Sequence, residues 1–385
     1  MTKDYSDFLI ASILNQEALR QQNQWNLIAS ENICYPEAQA LCGSIFTNKY
    51  AEGTPAKRYY QGCNNSNEIE RLAIRRAKKL FEAEYANVQP HCGSSANLIA
   101  YLAILKKGDT ILSMDFTCGG HLSHGHPKNI SNQLFNFIHY GVNLTTHTID
   151  YDKIEELLKT HRPQLLLSGA SSYSQLIDYQ IMYELAKKYN TLHMVDMAHI
   201  AGLIAARVIP SPIQYADIIT STTHKTLRGP RGGFILAKEE FAKKIDNATM
   251  PGVQGGPFMN VIAAKAWLFE YALTQDFINY QTQIITNCQI MVTLLKEKNI
   301  PIITHGSANH LFLIDVGQLN KTGQEAAELL EKNNIIVNKN SIPYDQKNPF
   351  ITSGIRIGTP WITAQNKTVE EITAKTNEIA NLLLQ

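Results

Sequence analysis

The sequence has 385 residues, which is enough for two domains and a large hydrophobic core. Its 44% hydrophobic and 18% charged residues are typical of a globular protein, and a net charge of +1 favours neither nucleic acid nor a membrane surface as a partner. The six cysteines form no Cys-x-x-Cys pair, no apolar run is long enough to cross a bilayer, and the first residues lack a signal-peptide pattern. A cytoplasmic protein is therefore expected.

The first element predicted from the sequence is a helix. Residues 6–22 predict an amphipathic helix, and we expect it to be an arm that packs on another surface. Residues 27–62 have no regular period but are rich in Tyr, Asn and Gly, and such long irregular segments in compact proteins are usually functional or disordered. Residues 67–83 return to helical spacing, with Ile69, Leu72 and Leu80 on one side.

An anion site is predicted where the next strand turns into a helix. A short strand over residues 85–88 leads to the turn Gly93-Ser94-Ser95, and a helix continues through Ile104. Free backbone N–H groups and the helix dipole converge at such a turn, so these residues can bind a phosphate. The simpler alternative is that Ser94 only caps the helix. A nucleotide P-loop is not predicted, because the chain has no G-x-x-x-x-G-K-[ST] pattern.

Three histidines, His121, His124 and His126, follow the strand predicted over residues 109–114. Their spacing matches no tetrahedral zinc pattern, and the cysteines are not arranged to complete one. No metal site is therefore expected.

Strands and helices alternate through the middle of the chain. Residues 164–168 predict a buried strand, residues 179–189 a helix, and residues 192–196 a second buried strand that ends on Asp196. This alternation predicts a largely parallel sheet covered on both faces. An acid at the carboxyl end of a buried strand is where α/β proteins bind ligands, although Asp196 alone could equally cap a helix. Ser171, at the end of the first strand, is expected near Asp196 and His199.

Residues 221–233 are predicted to form a loop between two buried strands, and this loop contains Lys225, Arg228 and Arg231. A partly desolvated lysine among cations loses proton affinity, and its neutral amine can then attack a carbonyl group. These residues alone equally allow a phosphate-binding or a merely solvated basic loop. The combination of Lys225 with Asp196 favours pyridoxal phosphate, which needs a lysine for covalent attachment and a carboxylate beside its pyridine nitrogen.

The C-terminal part predicts a long helical segment followed by a smaller domain. Helical spacing runs, with one break, from about residue 254 to residue 298. Strands are predicted over 309–316, 335–337 and 354–358, and helices over 323–332 and 368–384, the last with a capping box formed by Thr368 and Glu371. The predicted fold class is α/β, with a large domain of mostly parallel sheet covered by helices on both faces and a smaller C-terminal α+β domain. The predicted boundaries are a helical arm over 1–25, a large cofactor-binding domain over 26–250, a connecting helical segment over 251–300 and a small domain over 301–385.

Six ordered motifs carry a resemblance to a known family. They read LIASEN (Leu27–Asn32), NKYAEG (Asn48–Gly53), KRYYQG (Lys57–Gly62), VDMAHIAGL (Val195–Leu203), TTHKTLRGPRGG (Thr222–Gly233) and TSGIRIGTP (Thr352–Pro360). In these motifs the sequence resembles the serine hydroxymethyltransferases, which are pyridoxal-phosphate enzymes of the aspartate aminotransferase-like fold type I. The resemblance implies reversible transfer of the serine hydroxymethyl carbon to tetrahydrofolate, giving glycine and 5,10-methylenetetrahydrofolate.

The resemblance also implies roles for individual residues. The catalytic residues would be Lys225, Glu52, Asp196, His121 and Tyr60. The cofactor-binding residues would be Gly93, Ser94, Ser95, His121, Ser171, Asp196, His199, Thr222, His224, Lys225, Tyr50, Gly255 and Gly256. Serine would contact Ser30, Tyr60, Arg356 and Glu52. Folate would contact Phe116, Gly120, His121, Leu122, Asn340, Asn348, Pro349 and Phe350.

Two of these roles are weaker when judged from the residues alone. Arg356 offers a planar two-donor fork for a carboxylate, but an arginine in a strand is more often part of a surface ion pair. Glu52 is the family's general acid/base, whereas a carboxylate in a loop more often faces solvent. In the family Tyr50, Glu52 and Tyr60 enter the site from the partner subunit, so the resemblance implies a homodimer with two shared active sites.

Several positions depart from the family's usual residues. They are Thr54, Ala56, Gln61, Cys92, Phe116, Cys118 and Asn260, together with the residues after Pro360. Two alternatives are a folate-independent aldolase that cleaves 3-hydroxy amino acids such as threonine, and a non-catalytic scaffold that binds pyridoxal phosphate. Asn340 and residues 348–350 favour the folate-dependent reaction. The joint presence of Lys225, Asp196, Arg356 and Glu52 disfavours the scaffold.

Overall fold

The computed structural model describes residues 7–385. Its helices are α1 (Phe8–Asn23), α2 (Pro36–Cys42), α3 (Asn64–Phe81), α4 (Gly93–Ile104), α5 (Ile130–Leu134), α6 (Tyr151–His161), α7 (Tyr179–Lys188), α8 (Ala201–Ala205), α9 (Ala242–Asn247), α10 (Met259–Tyr271), α11 (Gln275–Glu297), α12 (Gly323–Lys332), α13 (Pro360–Ala364) and α14 (Val369–Leu384). Its strands are β1 (Trp25–Asn26), β2 (Gly53–Thr54), β3 (Lys57–Arg58), β4 (Tyr85–Asn87), β5 (Thr110–Met114), β6 (Asn136–Tyr140), β7 (Leu165–Ser168), β8 (Leu192–Asp196), β9 (Ile218–Thr222), β10 (Gly233–Ala237), β11 (Leu311–Asp315), β12 (Ile335–Ile336), β13 (Asn338–Asn340) and β14 (Gly354–Gly358).

The central sheet has seven strands in the order β4-β10-β9-β8-β7-β5-β6. The pairs from β9 to β6 are parallel, whereas β10 runs antiparallel to both β9 and β4. Every residue of β7, β9 and β10 is buried, as expected for strands with helices on both faces. The predicted α/β fold with a mostly parallel sheet is confirmed.

Neighbouring residues of the central strands contribute to different cores, because successive side chains of a strand point to opposite faces. Ile219 and Leu236 pack in the core that contains residues of α3 and α10. Ile218 and Ile235 pack instead with residues of α4 and α9. Helices therefore cover the sheet on both faces, and its carboxyl edge is left for a site.

A second, three-stranded antiparallel sheet has the order β11-β14-β13. Its core includes residues of α12 and α14, and it also takes in Cys288 and Met291 from α11 and Leu27 from the segment after α1. The same segment contributes β1, which pairs in parallel with β12. Residues 25–27 and the end of α11 therefore pack with this C-terminal sheet. The division into domains at the boundaries given above stays a prediction.

Several predicted elements differ from those observed. The loop that contains Lys225 begins later than predicted, because Ser221 and Thr222 still pair with β10. The strand predicted over 335–337 is replaced by β12 and β13, which belong to different sheets. Helix α2 and the hairpin of β2 and β3 lie in the segment predicted to be irregular, and α13 was not predicted. Cys92, not Ser94, is the N-cap residue of α4.

Helix α1 exposes a large apolar surface. It begins at Phe8, and Ser6, where the helix was predicted to begin, lies outside the described residues. None of its residues is buried, and Phe8, Leu9 and Ile13 are 82%, 71% and 65% exposed. The surface on which this helix was predicted to pack is therefore not provided by residues 7–385 of the same chain. No helix in that part of the chain is long and apolar enough to span a membrane.

Candidate active site

A cavity of about 450 Å³ lies at the carboxyl ends of the parallel strands. It is lined by Asp196, the last residue of β8, and by Thr222, the last residue of β9. The predicted site residues that line this cavity are Ser30, Gly93, Ser94, His121, Ser171, Asp196, His199, Thr222, His224, Lys225 and Arg356. The structure thus brings together residues that are up to several hundred positions apart in the sequence.

Lys225 lies in the loop between β9 and β10, and its backbone carbonyl accepts a hydrogen bond from Asn32 Nδ2 at 2.8 Å. Burial lowers the pKa of Lys225 to about 8; the Asp196 carboxylate opposes this shift, while Arg356 and Arg231 add to it. A substantial fraction of the amine is therefore neutral near physiological pH and available as a nucleophile. The predicted loss of proton affinity is confirmed.

Only one of the two arginines next to Lys225 in the sequence contributes to the cavity. Arg231 lines it. Arg228 lies over the rings of Tyr35 and Tyr280, at 4.3 and 4.8 Å from their centroids, and its Nε donates to the carbonyl of Ile33. Arg228 thus stabilises the packing beneath the loop.

Asp196 accepts three hydrogen bonds. The donors are His124 Nε2 at 3.0 Å, Asn97 Nδ2 at 2.8 Å and the backbone N–H of Ala198 at 3.0 Å. Burial alone would raise the pKa of this carboxyl, but the hydrogen bond from His124, with a smaller effect of the one from Asn97, holds the pKa well below its usual range. The carboxylate is therefore ionised, as a partner of a protonated pyridine nitrogen must be.

Backbone donors fix which nitrogen of each neighbouring histidine carries a proton. The N–H of His121 donates to His124 Nδ1 at 3.2 Å, so His124 presents the proton on Nε2 to Asp196. In the same way the N–H of Ser123 donates to His121 Nδ1 at 3.2 Å. Burial, with a smaller effect of His124, lowers the pKa of His121 to about 4, so this ring is neutral and can lie against an aromatic cofactor.

Sequence reasoning assigned no role to three further residues at this site, Glu31, Asn97 and His124, and gave Arg231 no role beyond its charge near Lys225. Glu31, His124 and Arg231 line the cavity. Asn97 and His124 bond directly to Asp196. A signal for His124 was present, because it follows His121 by three residues and a short 3-10 turn places both rings on the same side. The sequence analysis considered a metal site formed by the three histidines and rejected it, but it proposed no other role for His124.

The N-terminus of α4 forms one end of the cavity. Its N-cap residue, Cys92, makes no side-chain capping bond, so the first N–H groups of the helix are available to a ligand. Gly93 and Ser94 line the cavity, whereas Ser95 does not; the Ser95 hydroxyl lies 3.2 Å from Cys92 Sγ. A Cβ atom at Gly93 would lie 2.7 Å from Thr222 Cγ2, so only glycine allows the helix to approach β9 this closely.

Arg356, a residue of the C-terminal sheet, also lines the cavity. It lies on β14, where it is 8% exposed. Its Nε donates to Asn338 Oδ1 at 3.1 Å and its Nη1 to the carbonyl of Ser171 at 2.5 Å. Burial lowers the pKa of Arg356 to about 10, so the guanidinium is charged at neutral pH. These two bonds orient the planar group and leave its remaining N–H groups for a carboxylate.

Besides Ser95 and all the predicted folate residues except His121, five predicted site residues lie outside this cavity. They form a separate group, made of Tyr50, Glu52, Tyr60, Gly255 and Gly256. The N–H of Glu52 donates to Tyr60 Oη at 2.9 Å. A Cβ atom at Gly255 would lie 3.2 Å from Glu52 Oε1, and one at Gly256 would lie 2.8 Å from the Tyr50 ring. Within one chain this group, called the Glu52 cluster below, does not reach Lys225.

Comparison with known proteins identifies the family. The family model for serine hydroxymethyltransferase matches residues 4–379. A serine hydroxymethyltransferase from Coprothermobacter proteolyticus is 51% identical over 375 residues, which cover 97% of this chain and 90% of that protein. This chain belongs to the serine hydroxymethyltransferase family. The resemblance noted in the motifs is confirmed.

Serine hydroxymethyltransferases are pyridoxal-phosphate-dependent transferases that use tetrahydrofolate as co-substrate, and this chain is such an enzyme. The Lys225 cavity fits the cofactor. It combines an amine with a lowered pKa, an ionised carboxylate at Asp196, and uncapped N–H groups at α4 for a phosphate. The reaction therefore belongs to serine, glycine and one-carbon metabolism.

A second cavity, of about 210 Å³, adjoins the first and shares His121, Ser171 and Arg356 with it. The predicted folate-binding residues that line it are Phe116, Gly120, His121, Leu122, Asn340 and Pro349. Asn348 and Phe350 do not line it; Asn348 Oδ1 accepts from the N–H of Phe350, whose ring is 73% exposed. A serine hydroxymethyltransferase needs such a groove beside its cofactor, because the one-carbon unit passes between the two ligands.

Proposed function

We propose that the Lys225 cavity is the site at which this enzyme transfers the hydroxymethyl group between serine and tetrahydrofolate. The observation that carries the proposal is the position of Lys225. Its amine has a pKa of about 8 and shares a cavity with the Asp196 carboxylate and the open N-terminus of α4. These three groups match the aldehyde, the pyridine nitrogen and the phosphate of the cofactor.

The residues around Lys225 hold the cofactor. Lys225 would attach it covalently, Asp196 would accept a hydrogen bond from the pyridine N–H, and His121 would lie against the ring. The start of α4 would bind the phosphate through Gly93 and Ser94, which line the cavity, and through Ser95, which does not line it but belongs to the same first turn of the helix. The other cavity residues that would contact the cofactor are Ser171, His199, Thr222 and His224. When bound, pyridoxal phosphate supplies the electron sink for the carbanion that remains after the Cα–Cβ bond of serine breaks.

Arg356 and Ser30 orient the substrate. The guanidinium would bind the serine carboxylate through two parallel hydrogen bonds, which fix the plane and position of that group. With the amine of the substrate attached to the cofactor as well, this contact would decide which bond of Cα is cleaved. The folate groove then positions the carbon acceptor next to the same Cα, with Phe116, Leu122, Asn340 and Pro349 on its wall.

The Glu52 cluster is proposed to complete the site of a second copy of the chain. Within one chain it does not line the Lys225 cavity, and Tyr50 is 61% exposed although its ring packs on Gly256. The exposed apolar surface of α1 also requires a partner. We therefore infer a homodimer with shared sites, in which Glu52 moves the proton of the substrate hydroxyl and Tyr60 assists. A cytoplasmic location and the four-part domain division given above belong to this proposal.

Two measurements on one protein preparation test the proposed reaction. Borohydride treatment of the purified protein followed by peptide mapping should place the reduced pyridoxyl group on Lys225. Serine cleavage should depend on added tetrahydrofolate. A label on another lysine would contradict the role of Lys225. Equal serine cleavage with and without tetrahydrofolate would favour the folate-independent aldolase.

A further inference from the structure

Lys265 is a buried cation outside the cavity described above. It lies on α10 and is 1% exposed. Its Nζ donates to three backbone carbonyls, those of Val88 at 2.8 Å, Pro90 at 3.2 Å and Gly233 at 2.7 Å. Three acceptors need three donors, and only the ammonium form of lysine has three N–H groups and no lone pair.

A charged side chain buried at this position requires a physical explanation. Burial lowers the pKa of Lys265 to about 7, and the nearby carboxylate of Glu70 opposes that shift. An ammonium group is costly to bury even when it is fully hydrogen-bonded, whereas an apolar side chain of similar size would fill the same space but leave the three carbonyls without this donor. Packing alone therefore does not explain a lysine at this position.

The three carbonyls belong to the two backbone segments that border the cavity. Val88 and Pro90 lie between β4 and α4, and this segment ends at the uncapped N-terminus with Gly93. Gly233 begins β10, directly after the loop that contains Lys225. The segments also touch each other, since the N–H of Gly233 donates to the carbonyl of Pro90 at 3.0 Å. Lys265 bridges the two segments from below the sheet.

We propose that Lys265 is a positioning residue for the cofactor phosphate. Its ammonium joins the segment before α4 to the start of β10. The N–H groups of α4 are thereby held at a fixed distance from the Lys225 loop, so that phosphate and aldehyde are bound at the same time. The inference rests on the proposed function, in which the start of α4 binds the phosphate.

The test compares pyridoxal phosphate with pyridoxal, which lacks the phosphate but can form the same bond to Lys225. Dissociation constants for both compounds are measured by absorbance titration of the full-length apoprotein, for wild type and for Lys265→Met. We expect Lys265→Met to weaken pyridoxal phosphate roughly 10- to 100-fold, the effect of losing one or two charge-assisted hydrogen bonds, and to leave pyridoxal nearly unchanged. The preference for the phosphorylated compound therefore falls.

Two further variants separate positioning from general stability. Ile262→Ala removes an equally buried side chain from the same helix, one that can form no hydrogen bond to either segment; it should lower stability and keep the preference. In Gly232→Ala the new Cβ would lie 2.6 Å from Lys265 Cε, so it displaces the ammonium and should lower the preference even if Lys265→Met does not fold.

The outcomes distinguish the inference from its premise. An unchanged preference in Gly232→Ala, and in Lys265→Met where it folds, overturns the role of Lys265. An equal loss of affinity for both compounds also overturns it, because that result indicates a general structural role. If wild type itself binds pyridoxal as tightly as pyridoxal phosphate, the assignment of the phosphate to α4 is wrong instead.

Discussion

Replacing Arg356 by lysine tests whether a planar guanidinium is needed at the substrate site. The substitution keeps a positive charge but replaces five N–H donors in a fixed plane by three donors on one nitrogen. In the wild-type protein Asn338 and the carbonyl of Ser171 already accept hydrogen bonds from Arg356. A lysine must therefore divide its donors between these two acceptors and the incoming carboxylate.

The size of the effect follows from this loss. At least one charge-assisted hydrogen bond to the serine carboxylate cannot form, and such a bond is worth roughly 1.5–3 kcal/mol. We therefore expect kcat/KM for serine to fall roughly 10- to 150-fold, since about 1.4 kcal/mol corresponds to a factor of ten. Cofactor binding should persist, because Arg356 is assigned to the substrate and the phosphate is assigned to α4.

Steady-state kinetics and the absorbance of the bound cofactor can be measured on the same preparation. Asn338→Ala is a matched control, because it removes the acceptor that orients Nε but leaves the guanidinium in place; its loss should be clearly smaller, about fivefold, as for one ordinary hydrogen bond. Near-normal serine kinetics in Arg356→Lys would remove Arg356 from the site and would undermine the roles assigned to the C-terminal motif.

Four further predictions concern other parts of the molecule. Covalent attachment of pyridoxal phosphate to the apoprotein should speed up as pH rises through about 8, where Lys225 loses its proton, and stopped-flow absorbance that gives a midpoint near 10 would contradict this. Arg58→Met should destabilise the protein by about 3–5 kcal/mol in urea unfolding, because it leaves the buried carboxylate of Glu70 without its partner at 2.5 Å, whereas removing both residues should cost much less. Ala56→Gly should raise the unfolding free energy by up to about 1 kcal/mol, since Ala56 has a φ of +70° that glycine adopts more readily; a decrease would refute the strain argument. Mixed dimers of Glu52→Gln and Lys225→Ala chains should regain activity, because one of their two sites contains neither change, and inactive mixed dimers would argue against shared sites.

Local sequence patterns predicted the elements whose signals lie within a few residues. The predicted helix over 323–332 and strand over 354–358 coincide with α12 and β14, and Thr368 and Glu371 form the expected capping box. The position of the site was also predictable. Polar residues at the ends of buried strands, such as Asp196, meet at one edge of a parallel sheet, and this rule requires no knowledge of distant contacts.

Long-range contacts were not predictable from the same patterns. Asn97 bonds to a carboxylate 99 residues away, and β1 and β12 are two-residue strands that pair across about 310 positions. Lys265 is the one charged residue within the apolar run from Val261 to Phe269 of α10, and such a lysine normally reaches solvent along its stem. Its burial depends on three carbonyls from segments that only the folded sheet brings together.

The charges of the cavity limit which group can transfer protons during the reaction. Burial is the largest cause of a lowered pKa at three of its histidines: the pKa falls to about 4 at His121, to about 3 at His224 and well below the ordinary value at His199. The fourth, His124, has both ring nitrogens engaged, Nε2 by Asp196 and Nδ1 by the N–H of His121. Neutral imidazoles with such low proton affinity are poor general acids at neutral pH. Asp196 is ionised and already accepts three hydrogen bonds, and Glu31 accepts a hydrogen bond from Asn26 at 2.5 Å. In the proposed site the chain that supplies Lys225 holds the cofactor and the substrate, but among residues 7–385 it provides this cavity with no carboxylate that is free of hydrogen bonds. This gap is the physical reason for placing Glu52 of a second copy at the substrate hydroxyl.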